Sequence, residues 1–566
     1  MTGSNTETGS GSAPDAGMRA GRPMVRRLRV RGWLRLETPL HVGDVGGDPS
    51  VDLALAVDGL SRLYVPGTSL AGALRAFAGR SIADRLVLDG IWGSVPQKND
   101  RQGNSKRDAD SGSDDGSTSR VVVHDGLVTT GTDPGTPLPR SRVEARSGIG
   151  IDRVLGTVAH GFLYGRAVLP RGAYLRLEID LESPYGDRDA DPATAMLGTL
   201  LLALAGGRVR LGAARTRGLG SVVLAGEPEI VEQRFDSLDG LLGSLGLLPT
   251  AATAPLTAAG LGGEDPDTDL LRVNIAWRPA SPVMVRYGAD GFAIDALPLT
   301  SGVGDDEVAL VLPGSSIKGV LRSHAERIER TARSRDAAHP LDVPAGPRRS
   351  ARFREQLDEL GAVSALFGSA GTTAGGTEDG NSDGDENSNG DGVRTRRGIG
   401  ALGADDCYSK QAIPGDLWRA LNGARVKGLT EEPENRPKRS WEKPRAYLPP
   451  EVRSTLKKLH MDQADHVAID RWTGGAADKR LYSTLEPHHV DWQELSLTVD
   501  LRRLSRFDAS PTGSDGSEGG EGGEGEGLAR PALALLLLVL RDLAAGRIRL
   551  GHGVNRGHGD IAVQSI

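Results

Sequence analysis

Leu312 to Arg322 reads LPGSSIKGVLR, and Val65 to Arg75 reads VPGTSLAGALR. Pro-Gly makes a tight turn. Ser315 and Ser316, like Thr68 and Ser69, are small hydroxyl residues of the kind that cap a helix start. Gly319 and Gly72 let another backbone come close to that helix. The stretch predicts a strand, a turn and a helix. Exposed amides at a glycine-rich helix start bind anions, phosphate above all. The same residues serve equally well as a plain strand–turn–helix junction.

Other matches follow in the same order. Ile151-Asp152-Arg153 recurs as Ile469-Asp470-Arg471, each followed closely by a glycine (Gly156, Gly474). Arg208 to Ser221, RVRLGAARTRGLGS, recurs as Arg547 to Asp560, RIRLGHGVNRGHGD. An apolar helical run precedes each, Ala195 to Ala205 and Ala532 to Ala545. The paired blocks lie 247, 318 and 339 residues apart, so the second copy carries insertions. Three blocks in one order define an internal duplication.

The elements between these blocks can be placed. Val25 to Glu37 alternates basic and apolar residues, as a strand with one solvated face does. It ends at His41-Val42-Gly43, and a loop with Asp44, Asp48 and Asp52 follows. Val121 to Asp125 is a short strand, Leu175 to Leu181 alternates strictly, and a helix is expected near 193–206. Strand, helix, strand, strand, helix, strand is the ferredoxin-like order, shared by the RNA-recognition motif. The fold class is α+β, with two such modules in tandem, 25–228 and 269–566. Residues 1–24 read as a disordered tail and 229–268 as a linker with a short Leu/Gly-rich helix. Insertions in the second module fall near 371–395, 407–465 and 510–528.

A chain of 566 residues holds two to four domains. Its single cysteine, Cys407, excludes an internal disulfide and points to a cytoplasmic home. The apolar run Ala532 to Leu540 is too short to span a bilayer, so no membrane partner is expected. The net charge of −7 is misleading. Residues 371–392 and 511–527 hold six and five acids and no bases, and without them the remainder carries +4. Such acidic Gly/Ser tracts read as disordered loops. The rest is mildly basic, with Arg26, Arg27, Arg29 and Arg31 concentrated in the first strand. Residues 407–465 have 12 Lys/Arg against 8 Asp/Glu, with Trp418, Trp441 and Tyr447, a mixture that suits single-stranded RNA and equally a charged surface with a few buried aromatics.

The ordered set resembles two fused members of the RAMP superfamily, RNA-binding proteins of CRISPR effector complexes, and in particular the repeated backbone subunit of type III complexes. The pattern is an Asp-bearing loop, PG[ST]S followed by a hydrophobic residue and [KA]G-x-x-R, a Phe/Trp-Gly element (Trp92-Gly93, Phe367-Gly368), an Asp near a strand end, IDR-x-x-G and a C-terminal glycine loop. The likeness covers roughly residues 27–225 and 270–566. It implies projecting thumb hairpins, placed by the resemblance over 134–147 and 407–465.

The resemblance also implies a function: a subunit that grips guide RNA and cuts complementary target RNA once per module, alongside other type III effector subunits. The alternatives are a scaffold that does not cut and a guide-processing endoribonuclease. One aspartate per module is implied to act. Asp295 lies in Ile294-Asp295-Ala296-Leu297-Pro298, which fits the family context. Asp52 lacks the proline. A carboxylate there can hold a divalent ion, magnesium by preference, or orient the attacking 2′-hydroxyl; aspartates in Gly-rich loops are also common turn formers. Cleavage would leave a 2′,3′-cyclic phosphate and a 5′-hydroxyl. The residues read as RNA-binding are Ser69, Arg75, Arg215, Arg217, Ser315, Ser316, Lys318, Arg322, Asn555 and Arg556. Module one has Ala71 where module two has Lys318. His552 and His558, six residues apart in the second glycine loop, are a weak signal for acid–base or metal work.

Overall fold

The computed structural model describes residues 24–43, 51–82, 84–94, 116–188, 190–248, 269–288, 291, 293–304, 306–358, 360–369, 398–422, 448–507 and 527–566. The expected tail, both acidic tracts, Asp44, Asp48, Trp441 and Tyr447 lie outside these residues.

The alternating strand Arg26–Leu36 is the spine of the first module. It pairs antiparallel with Tyr174–Ser183, Leu28 facing Leu181 and Leu34 facing Leu175. Val121–Val123 and Gly126–Thr129 add to the outer side of Tyr174–Ser183, and Val222–Leu224 to the far side of the spine. This is the ferredoxin-like strand order. The helices Gly67–Ser81 and Pro192–Ala205 touch each other and the sheet. Leu70, Leu74 and Ala78 point inward at a helical spacing of four.

The second module repeats the order: Leu402–Ala404, Leu495–Asp500, Leu270–Pro279, Ile561–Ser565. Its helices Gly314–Ala332 and Ala529–Ala544 correspond to the first pair. Each module has its own large apolar core: Leu28, Val30, Leu175 and Leu197 belong to the first, and Ile275, Leu321, Leu497 and Val539 to the second. Full burial of each such side chain stabilises by about 1.5–3 kcal/mol. Among the described residues no helix is long and apolar enough to cross a membrane.

Three expectations change. Residues 229–234, read as linker, form a strand paired with Arg26–Arg31; the short helix is Leu238–Ser244. The hairpins lie further along the chain than the resemblance placed them: Glu144–Ile151 with Val158–Val168, and Met461–Ile469 with Ala476–Pro487. Cys407–Pro414 is instead a strand paired with Glu307–Leu312, and Trp418 is buried in the core. The basic stripe of the first strand is the third. Arg27, Arg29 and Arg31 pair with Glu182, Asp180 and Glu178 on the neighbouring strand, and Arg26 is fully buried against Thr194 and Asp191.

The IDR blocks are the hairpin tips. Asp152 Oδ1 accepts the amides of Val154 and Leu155, both at 2.9 Å. Asp470 Oδ1 accepts those of Trp472 and Thr473, at 2.9 and 2.8 Å. Gly156 and Gly474 close the turns at φ +65° and +68°, where other residues are strained.

Candidate nucleic-acid interface

The two PG[ST]S turns fold alike. Pro66 and Pro313 stand at the helix starts, and neither helix has a side-chain cap. The expected hydroxyl caps are therefore not made. The first amide is held by a carboxylate from a strand end: Gly67 N–H donates to Asp125 at 2.7 Å, Gly314 N–H to Asp406 at 2.8 Å. A Cβ on Gly67 would lie 2.2 Å from the Val123 carbonyl oxygen, and on Gly314 2.1 Å from that of Ala404. These glycines let strand and helix touch. An anion has no access to those two amides. Gly72 and Gly319 differ: a Cβ there would meet nothing within 4 Å. No protein backbone approaches them, and both face a cleft.

That cleft has a volume of ≈ 3110 Å³ and runs across both modules. Both PG[ST]S helices line it, and so do both glycine loops. Twenty Lys/Arg side chains border it against five Asp/Glu. An excess of that size makes a strongly positive channel suited to a phosphate backbone. The crowding shows in the cations themselves. Arg503 is pulled below its ordinary pKa by burial, with nearby Arg215, Arg80 and Arg506 acting the same way.

Of the residues expected to bind RNA, Arg75, Arg215, Arg217, Ser315, Ser316, Lys318, Arg322 and Asn555 line this cleft. Ser69 and Arg556 do not. Several of the rest are already engaged. Arg75 pairs with Asp89 at 2.7 Å. Arg322 is tied to Glu326 and to the carbonyls of Gly368 and Leu357. Lys318 is buried, its Nζ donating to Leu402 O at 2.6 Å and Thr216 Oγ1 at 3.3 Å. Burial, with Arg217, Arg322 and Arg503 close by, lowers it to about 7. Thr216 belongs to the first module, so Lys318 cements the two modules rather than offering a free cation. Arg208, Arg210, Arg547 and Arg549 were not among the expected residues, although the alternation in RVRL and RIRL marks them. Nor were Arg502, Arg503 and Arg506 in LRRLSR.

The glycine loops are pinned by the protein's own backbone. A Cβ on Gly212 would sit 2.3 Å from His41 O, and on Gly551 2.3 Å from Met284 O. From this fixed base Arg217 reaches Tyr164 Oη at 3.3 Å, and Arg556 reaches the matching Tyr482 Oη.

Asp52 and Asp295 occupy equivalent places. Asp52 Oδ2 accepts the Gly165 amide at 2.6 Å, and Asp295 Oδ2 the Ser483 amide at 2.7 Å. Each thus sits against the returning strand of its module's hairpin. Neither lines the cleft, but Gly165 lies between Tyr164 and Arg166, which do. Among the described residues no group of three His, Cys, Asp or Glu converges as a metal site. A divalent ion here would have one protein carboxylate and would take its other oxygens from phosphate and water, a shell magnesium accepts.

The modules are joined at the first hairpin's tip. Arg153 pairs with Glu326, its amide donates to Gln356 at 3.2 Å, and Phe162 meets Phe353 edge-on at 4.7 Å. The second tip has no such seat among the described residues: Trp472 is 96% exposed.

Comparison with known families gives a match to a family model described as the RAMP superfamily, over residues 33–223 and 282–561. No curated protein matches the chain.

Proposed function

Since this chain belongs to the RAMP superfamily, we propose that it is a tandem guide-RNA-binding backbone subunit of a type III CRISPR effector complex, cutting complementary target RNA once per module. The observation that carries the RNA part is the cleft spanning both modules, with twenty cationic side chains against five acids. Cutting is supported by the equivalence of Asp52 and Asp295, each hydrogen-bonded to the returning strand of its module's hairpin.

The chemistry divides between parts of the chain. The basic cleft holds the phosphate backbone, and the hairpin fixes the place along it. Asp52 and Asp295 act on a strand bent at the hairpin, each aligning the 2′-hydroxyl with the adjacent phosphorus. Attack forms the 2′-oxygen–phosphorus bond and breaks the bond to the 5′-oxygen, leaving a 2′,3′-cyclic phosphate and a 5′-hydroxyl. A divalent ion held by Asp52 or Asp295 would neutralise charge on the phosphate under attack.

The test is end-labelled target RNA with the reconstituted complex. Two discrete products are expected, with Asp52→Ala removing one and Asp295→Ala the other while guide binding persists. EDTA should stop both cuts. Unchanged two-band patterns in both variants would reduce these aspartates to turn residues. Tight target binding without any cut would favour a scaffold.

A further inference from the structure

The chain has eleven histidines, and several gather at the foot of the second hairpin. Glu486 is the hub, its side chain 8% exposed. His466 Nε2 lies 3.1 Å from Glu486 Oε1, His558 Nε2 3.4 Å from the same oxygen, and His488 Nε2 3.5 Å from Oε2. Thr484 Oγ1 donates to Oε1 at 2.9 Å. The three imidazoles come from three places: the outgoing hairpin strand, the residue after the returning strand, and the glycine loop. Tyr482 stacks on His466 at 5.2 Å, and the Arg556 guanidinium lies over Tyr482 at 5.3 Å. His558 Nδ1 is buried with no hydrogen-bond partner.

The duplication says which way this cluster faces. Gly165 and Ser483 correspond, because each donates its amide to its module's aspartate. Tyr164 then corresponds to Tyr482, Arg166 to Thr484, and Gly148, opposite Tyr164, to His466. Arg217 on Tyr164 matches Arg556 on Tyr482. In module one Gly148, Tyr164, Arg166 and Arg217 all line the basic cleft. Along the second glycine loop the cleft lining runs to Asn555, the residue before Arg556. By the duplication, the cluster takes the place in module two that borders the cleft in module one, just beyond the cleft's own lining. Ser483 and Asp295 lie on the opposite face of the ribbon, because neighbouring strand residues alternate.

We propose that His466, His488 and His558, gathered on Glu486, form a phosphate subsite of the RNA path that engages when the imidazoles are protonated. This rests on the RNA-binding reading above. Module one holds the corresponding stretch with a fixed cation, Arg166. Module two has Thr484 there and offers imidazoles, the side chains that serve as pH switches. With the imidazoles neutral, Glu486 and Arg556 cancel. Each proton taken up adds one positive charge to the cluster. His552, in the same loop, is held below its ordinary pKa by burial, with Arg286 and His558 acting the same way.

The test is affinity of the full-length chain for a labelled single-stranded oligouridylate at fixed ionic strength, at about pH 8, 7 and 6. The parent should tighten roughly tenfold on acidification, the scale of one added charge-assisted hydrogen bond to phosphate. The combined His466→Ala, His488→Ala, His558→Ala variant should bind like the parent at pH 8 and lose most of the tightening on acidification, leaving only what Lys318 and the cleft histidines contribute. Glu486→Gln should bind tighter than the parent at pH 8, with a smaller response to acid. A thermal melt of each variant separates folding defects from binding defects, and the conservative Glu486→Gln result stands even if the triple variant fails to fold. Parent affinity that is the same at all three pH values overturns the proposal and leaves the RNA-binding reading standing. So does an acid response undiminished in a folded triple variant. No binding by the parent at any pH overturns both.

Discussion

Arg153, at the tip of the first hairpin, forms a two-pronged ion pair with Glu326 in the second module, one prong of 3.2 Å from Nη2 to Oε1. Glu326 is 2% exposed and also accepts from Arg322 at 2.7 Å. Arg153→Ala would leave a buried carboxylate short of a partner, at a cost of about 3 kcal/mol. Arg471 holds the same place at the second tip and is exposed. Arg471→Ala should leave stability within about 0.5 kcal/mol of the parent. Urea melts of the two variants check this, and equal losses would show that the tips are not used differently.

Lys318 gives a pH-dependent prediction. Its folded value, about 7, lies below that of an unfolded lysine. Between these values the unfolded chain binds the proton and the folded chain does not, so stability should rise with pH from about 7 to 10. Below 7 the penalty is constant and complete. Lys318→Met removes the penalty and also the hydrogen bonds to Leu402 and Thr216. Its stability relative to the parent should therefore be highest at or below pH 7 and decline toward pH 10. Thermal melts across that range would expose a flat difference if the side chain were solvated.

The cleft arginines and the first-strand arginines should behave differently with RNA. Arg215, Arg503 and Arg549 border the cleft. Replacing each with alanine should weaken binding for every RNA sequence and reduce the slope of log affinity against log salt by about one for each phosphate no longer gripped. Arg27, Arg29 and Arg31 are paired along the strand with Glu182, Asp180 and Glu178. Their replacement should leave the slope unchanged. Filter binding at several salt concentrations decides the matter.

The glycines of the repeated stretch fall into two classes. Gly67→Ala and Gly314→Ala drive a methyl into a strand carbonyl and should cost more than about 2 kcal/mol. Gly72→Ala and Gly319→Ala meet nothing within 4 Å in helix interiors and should stabilise by about 0.5–1 kcal/mol. If RNA runs close over those helices, the same two substitutions should weaken its binding. Melts paired with RNA titrations separate the two effects.

The duplication, the strand order and both helix pairs were legible because each is written twice with apolar periodicity. The hairpins were harder. Their strands, such as Met461–Ile469, are largely exposed, so little apolar signal marks them. Trp418 stays open in the sequence for the opposite reason, since a tryptophan among charges reads equally as a stacking surface or as core until its packing is known; it is core. Asp125 and Asp406 are strand-end acids, but the amides they bind lie 58 and 92 residues away, which local sequence does not show. Lys318 was beyond reach because module one covers it. The pairing of Arg27, Arg29 and Arg31 did leave a trace: Glu178, Asp180 and Glu182 alternate with the same period.

The clasp between Arg153 and Glu326 gives the chain a direction. Counting from the helix starts, module one has Gly79 where module two has Glu326, with Arg80 beside it. The chain thus has a tongue at its second end and no matching socket at its first. Two copies laid head to tail would set Arg471 against a glycine and an arginine. The clasp that sets the spacing within one molecule does not propagate from one molecule to the next, and the chain measures out two units before that mode of joining ends.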